Sequence, residues 1–194
     1  MGLARSLPPA LTLTLALAVP AVAADGFMSV QNFQFAPRFV QIQPGEKVDF
    51  NFEGPSTHTA TLRRGQTDSY DSGPTPPAAK AHRFRYPGRF ALQCTIHPEM
   101  TATVQVGAPE AVAPRLAGLR ARPGTGRVKL VFRVSERSVV TAAVGRRRVS
   151  KAFSAGTRSI TVTKLRRGRR TATLSGRDGW RNKSTTARRP FRVR

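Results

Sequence analysis

The chain has one cysteine, Cys94, three histidines and three methionines, and all three residue types are missing beyond Met100. A single cysteine excludes an internal disulfide, so packing and backbone hydrogen bonds must hold the fold. In an oxidising compartment an unpaired thiol is buried, joined to another chain or bound to a metal. Long apolar runs are scarce too. The only one, Leu11 to Val19, falls short of the roughly 20 residues of a membrane-spanning helix. No helical period is evident. No base, nucleophile and orienting group recur in an acyl- or phosphoryl-transfer arrangement, and there is no trinuclear histidine set, so the expectation is a protein that is not an enzyme. Acidic residues are nearly lacking from the second half: Pro109 to Arg194 has three Asp and Glu against 24 Lys and Arg, whereas Asp25 to Ala108 has seven against eight.

Arg5, the apolar run and the small-x-small pattern Ala21-Val22-Ala23 read as a secretory signal peptide over residues 1–24. A retained membrane anchor is the alternative, and the shortness of the run argues against it. Export to the periplasm or the outer face of a bacterial envelope is therefore expected.

Cys94-Thr95-Ile96-His97-Pro98-Glu99-Met100 brings three metal-binding side chains into seven residues, each separated from the next by two others. Thiolate and thioether sulfur favour Cu(I), and imidazole suits both oxidation states of copper. A set of two His and one Cys with a weak axial Met is the blue-copper arrangement. The second histidine has to come from elsewhere, and His58 is the natural candidate, at a strand edge after the Glu53-Gly54-Pro55-Ser56 loop. Zinc competes for Cys and His, but a structural zinc site does not recruit a thioether, so Met100 favours copper. The alternative is a buried thiol, two surface histidines and a core methionine. His82, on a strand among Phe84 and Tyr86, is left outside the site.

The first half alternates as strands do. Phe27 to Ile42 is strand-like, with Phe33 and Phe35 flanking Gln34. Val48, Phe50 and Phe52 share one face after the Pro44-Gly45 turn, and Thr59 to Leu62 forms the next strand. Gly65 to Lys80 reads as a long surface loop. Phe90, Leu92 and Cys94 alternate, aiming the thiol toward the core, and Thr101 to Val106 closes the unit. Short strands divided by turns imply an all-β sandwich or barrel.

Phe35-Ala36-Pro37, the Val40 to Ile42 segment with Pro44-Gly45, Phe50-Asn51, His58-Thr59, Gly88-Arg89-Phe90 and Cys94-x-x-His97-x-x-Met100 together resemble the cupredoxin family, near its plastocyanin, pseudoazurin and amicyanin branch. The resemblance covers Asp25 to Val106. It implies a Greek-key β-sandwich with one copper per chain cycling between Cu(I) and Cu(II), His58, Cys94 and His97 as equatorial ligands and Met100 as the axial one. Thr59 departs from the Asn that many relatives use to tie the two ligand loops, and Ala102 departs from a Gly common two residues after the Met.

The expected organisation is a copper-binding unit over 25–107, a Pro/Ala linker over 108–116 and a basic unit over 117–194. In the last, Val128 to Val134, Val139 to Val144, Val149 to Phe153, Ile160 to Val162, Thr171 to Leu174 and Phe191 to Val193 are strand candidates for a second, smaller β-sandwich. The run from Ser175-Gly176-Arg177-Asp178-Gly179 through Asn182 to Phe191 loosely resembles bacterial Ig-like or fibronectin type III-like surface modules. The charge of this half suits a polyanion, and export makes anionic cell-wall polymer or a lipid surface better partners than nucleic acid; a solvated surface shaped by a bias toward arginine, 20 against four lysines, is the alternative. The function expected is electron transfer with an undetermined redox protein as partner. Copper storage or delivery, and a cell-surface module with a vestigial metal site, are the alternatives.

Overall fold

A computed structural model describes residues 25–194 of the chain, so the signal-peptide expectation lies outside the described residues. Every regular element among them is a strand. In the first half these are β1 (Gly26–Gln31), β2 (Gln34–Ala36), β3 (Phe39–Ile42), β4 (Lys47–Phe52), β5 (Thr61–Leu62), β6 (Ala78–Arg83), β7 (Gly88–Gln93) and β8 (Thr101–Val106). They form two four-stranded sheets, in the orders β2-β1-β4-β6 and β3-β8-β7-β5. The pairs β1/β4 and β3/β8 are parallel, the others antiparallel.

The period-two pattern does what it promises in three strands. Val48, Phe50 and Phe52 of β4, Phe90 and Leu92 of β7, and Val104 and Val106 of β8 are all buried in one core. Removing a ring such as Phe50 from a core of this kind costs about 3–5 kcal/mol. Phe27 to Ile42 departs from the expected strand pattern. The chain folds back at Asn32 and Phe33, which have φ of 46° and 58°, and Gln31 then pairs with Gln34. Positive φ at both positions is a type I′ hairpin turn, which favours Asn first and Gly second. Phe33 is consequently 56% exposed while Phe35 is buried. The expected Thr59 to Leu62 strand shrinks to β5, because the Thr59 and Ala60 N–H groups donate to Cys94 Sγ and Ser72 Oγ rather than to a neighbouring strand.

The second half contains β9 (Leu116–Gly124), β10 (Arg127–Val134), β11 (Ser138–Val144), β12 (Arg147–Phe153), β13 (Gly156–Thr163), β14 (Gly168–Arg177) and β15 (Ala187–Val193). A three-stranded sheet, β13-β10-β9, faces a four-stranded one, β12-β11-β14-β15. Their inner faces make a second core that shares no residue with the first. β9 overlaps the expected linker only at Leu116 and otherwise fills the start of the expected basic unit, where no strand was expected before Val128. Its apolar positions Leu116, Leu119 and Ala121 are only half buried, and a bulge opposite Phe132 breaks its register, so its alternation is weak in sequence.

The halves touch through the β14–β15 connection and through Arg137. The Arg89 N–H donates to the Gly179 carbonyl at 3.0 Å, and a side-chain carbon on Gly88 would stand 2.7 Å from the Gly179 Cα. Arg137 donates from Nε to the Thr67 carbonyl at 2.7 Å and lies 4.3 Å above the Tyr86 ring. Space at Gly179 is closed by the Pro87 carbonyl. We expect Gly179→Val to disrupt this contact, lowering stability by about 1–3 kcal/mol and shifting the emission of the adjacent Trp180 to longer wavelength. Thermal unfolding followed by fluorescence checks both.

Candidate metal centre

β7 carries the core alternation forward to Cys94, which is fully buried, and β8 begins just after the equally buried Met100. The last rung of the β7/β8 ladder pairs Gln93 with Thr101, so the residues between must turn back at once. Cys94 N–H donates to the Met100 carbonyl at 3.1 Å, and Met100 N–H donates to the His97 carbonyl at 3.0 Å. The loop is thus closed by its own backbone, with His97 at its half-exposed crest.

His58 arrives from the other side. Its backbone exchanges two hydrogen bonds with Thr75, at 3.2 and 2.8 Å, and its side chain is 1% exposed. His58 Nδ1 lies 3.1 Å from His97 Nδ1, which lies 3.7 Å from Cys94 Sγ. The ligand atoms of His58, Cys94 and His97 all fall within 4.8 Å of one another. Burial first, and then the charge of His97, hold the His58 imidazole below its ordinary value of 6.5, which keeps a nitrogen lone pair free at neutral pH. His58 Nε2 is buried without a partner, so Nδ1 is the nitrogen turned to the cluster.

These separations suit one ion. Two metal–imidazole bonds of about 2.0 Å at roughly 100° span the His58–His97 distance, and bonds of about 2.0 and 2.3 Å near 120° span the His97–Cys94 distance. Two imidazoles and a thiol gathered in one cluster have the donor chemistry of a borderline or soft metal.

Three further residues shape the site. Thr59 N–H donates to Cys94 Sγ at 3.3 Å, which orients the sulfur. The Thr59 hydroxyl accepts the Thr95 N–H at 2.8 Å and lies 3.2 Å from the Thr95 hydroxyl. Thr59 therefore joins the two loops. The Phe33 ring meets His58 and His97 edge-on, at centroid distances of 5.7 and 4.7 Å. In the sequence Phe33 reads as a strand residue, and only the Asn-Phe pair at a hairpin tip could have revealed it. His82 stands elsewhere, 3.2 Å from Asp68 and stacked on Tyr70.

No family model matches the chain, and no curated protein matches it. Among solved structures it is similar to a copper-containing nitrite reductase from Thermus scotoductus SA-01, at 20% identity and a TM-score of 0.41, over 45% of this chain and 23% of that one. It is similar to a reduced Cu(I) form of an amicyanin mutant at 16% identity and a TM-score of 0.40, over 43% of this chain and 82% of that one. A pseudoazurin from Sinorhizobium meliltoi matches at 21% identity and a TM-score of 0.38, over 44% and 75%. Each match spans less than half of this chain, and the nitrite reductase is matched over under a quarter of its length.

Thr59 offers a test that needs no metal. Thr59→Val keeps the shape but leaves the Thr95 N–H without its acceptor, and we expect denaturant unfolding of the metal-free protein to show a loss of about 1–3 kcal/mol. Thr59→Ser should recover most of it.

Proposed function

We propose that the chain is an exported type 1 copper protein that carries single electrons in the cell envelope, with its basic half as the anchor. The observation that carries this reading is the convergence of His58 Nδ1, His97 Nδ1 and Cys94 Sγ from two restrained loops. His58, Cys94 and His97 would hold copper, with Met100 as a further ligand. Copper bound there supplies a one-electron couple between Cu(I) and Cu(II).

The chain's own residues do the rest. The Thr59–Thr95 tie and the Cys94–Met100 backbone bond restrain both ligand loops, so the donors keep their places when the charge changes. The buried Cys94, His58 and Met100 exclude water. His97 alone of the proposed ligands is partly exposed, beside Phe33 and the 45% exposed Ile96. Its imidazole edge gives an electron its path to a partner protein, the identity of which is open. The 24 cations of the second half, against three carboxylates, would hold the protein to anionic envelope material.

Two substitutions test the centre. Cys94→Ser should abolish the intense visible thiolate-to-Cu(II) band of the copper-loaded protein while circular dichroism shows the β fold intact; a persisting band would overturn the assignment. Met100→Gln should still bind copper but move the reduction potential downward, since a harder oxygen ligand favours Cu(II). Voltammetry reads the shift, and an unmoved potential would remove Met100 from the ligand set.

A further inference from the structure

The outer face of the β13-β10-β9 sheet is built almost wholly from cations and hydroxyls. On β10 the outward positions are Arg127, Lys129, Val131 and Arg133. Their partners on β13 are Thr163, Thr161, Ser159 and Thr157, all exposed. On the other side Lys129 stands opposite Arg122 and Val131 opposite Arg120, both arginines exposed. Cross-strand neighbours lie about 4.5–5.5 Å apart at Cβ, and like charges placed there repel.

Nothing on the protein offsets that repulsion. Among the described residues no Lys or Arg of the second half makes an ion pair. The three carboxylates of this half, Glu110, Glu136 and Asp178, lie in connections outside the sheets, with their oxygens within 4.8 Å of one another. Crowding by the other two adds to burial in raising the Glu136 carboxyl above its ordinary value. The acids are spent on one another. The opposite sheet also carries cations on its outer face, Arg148, Arg177 and Arg188 together with the directly paired Arg169 and Arg192, so it is the natural comparison surface.

We propose that the outer face of β9, β10 and β13 binds a linear anionic polysaccharide. Alternate residues on a strand are about 6.6–6.8 Å apart, which sets Arg127, Lys129 and, two steps on, Arg133 in a row suited to the repeating charges of an extended chain. The Thr and Ser row beside it offers donors and acceptors for sugar hydroxyls. The face has no aromatic side chain for stacking bases, as single-stranded nucleic acid sites use. Val131 is its only large apolar group, too little to enter a bilayer. This inference rests on the reading of the basic half as the anchor and names where that anchor lies.

The test uses the full chain and dextran sulfate, with neutral dextran, a single-stranded oligonucleotide and anionic phospholipid vesicles as comparison arms. The triple variant Arg122→Ser, Lys129→Ser, Arg133→Ser should lose affinity for dextran sulfate at least tenfold more than Arg148→Ser, Arg188→Ser, Arg192→Ser, which removes the same charge. Its slope of log affinity against log salt should fall by about two, at roughly 0.7 per lost contact. The face variant should also melt at a higher temperature than wild type at low salt, with the gain gone near 1 M, where the Debye length is about 3 Å. That readout needs no ligand and shows the variant folded. Equal losses in the two triples would overturn the face while leaving a charge-based anchor intact. Failure of the wild type to bind dextran sulfate would overturn both. Tighter binding to the oligonucleotide or the vesicles than to dextran sulfate at equal charge would overturn the polysaccharide.

Discussion

The hydrogen bond from Cys94 N–H to the Met100 carbonyl extends the β7/β8 ladder one step past Gln93 and Thr101, and the candidate metal centre depends on it. It fixes both ends of a five-residue loop, so His97 has few places to go. The core supplies the other boundary. Phe90 and Leu92 below and Val104 above are buried, which prevents a slip of register that would turn Cys94 outward. His58 needs its own restraint because β5 begins only at Thr61. The paired bonds to Thr75 provide it, and the Thr59 hydroxyl then locks one loop to the other.

Much of this was legible in the sequence, and the reason is periodicity. β4, β7, β8 and β10 bury one face and expose the other, so their alternation is strong and their register follows from it. The Cys94-x-x-His97 spacing likewise placed two members of the cluster on one short loop. His58 was reachable as the only other histidine at a loop-to-strand junction.

What escaped sequence reasoning depends on contacts between distant segments. The turn at Asn32 and Phe33 was hidden because Phe33, Gln34 and Phe35 continue a period of two through the bend. β9 was hidden because it buries little, with Arg120 and Arg122 exposed and Leu116, Leu119 and Ala121 only half buried. The approach of Gly179 to Gly88 and of Arg137 to Tyr86 joins positions separated by most of a domain's length. No local pattern encodes such a meeting. The charge imbalance was plain from counting, but the cross-strand registry of like charges required the pairing of β9, β10 and β13.

The hairpin tip at Phe33 sets a scale for how firmly the histidines are covered. A residue other than glycine held in the left-handed region costs about 1–2 kcal/mol, and glycine at this turn would avoid that cost. The ring must therefore return a comparable amount, and two edge-on aromatic contacts of about 0.5–1.5 kcal/mol each are of the right size. The cover over His58 and His97 is thus close to energetic balance, with backbone torsion pulling against ring contact. A partner that offered the Phe33 ring a better seat would draw on that tension, and the same small motion would bare the imidazole edges.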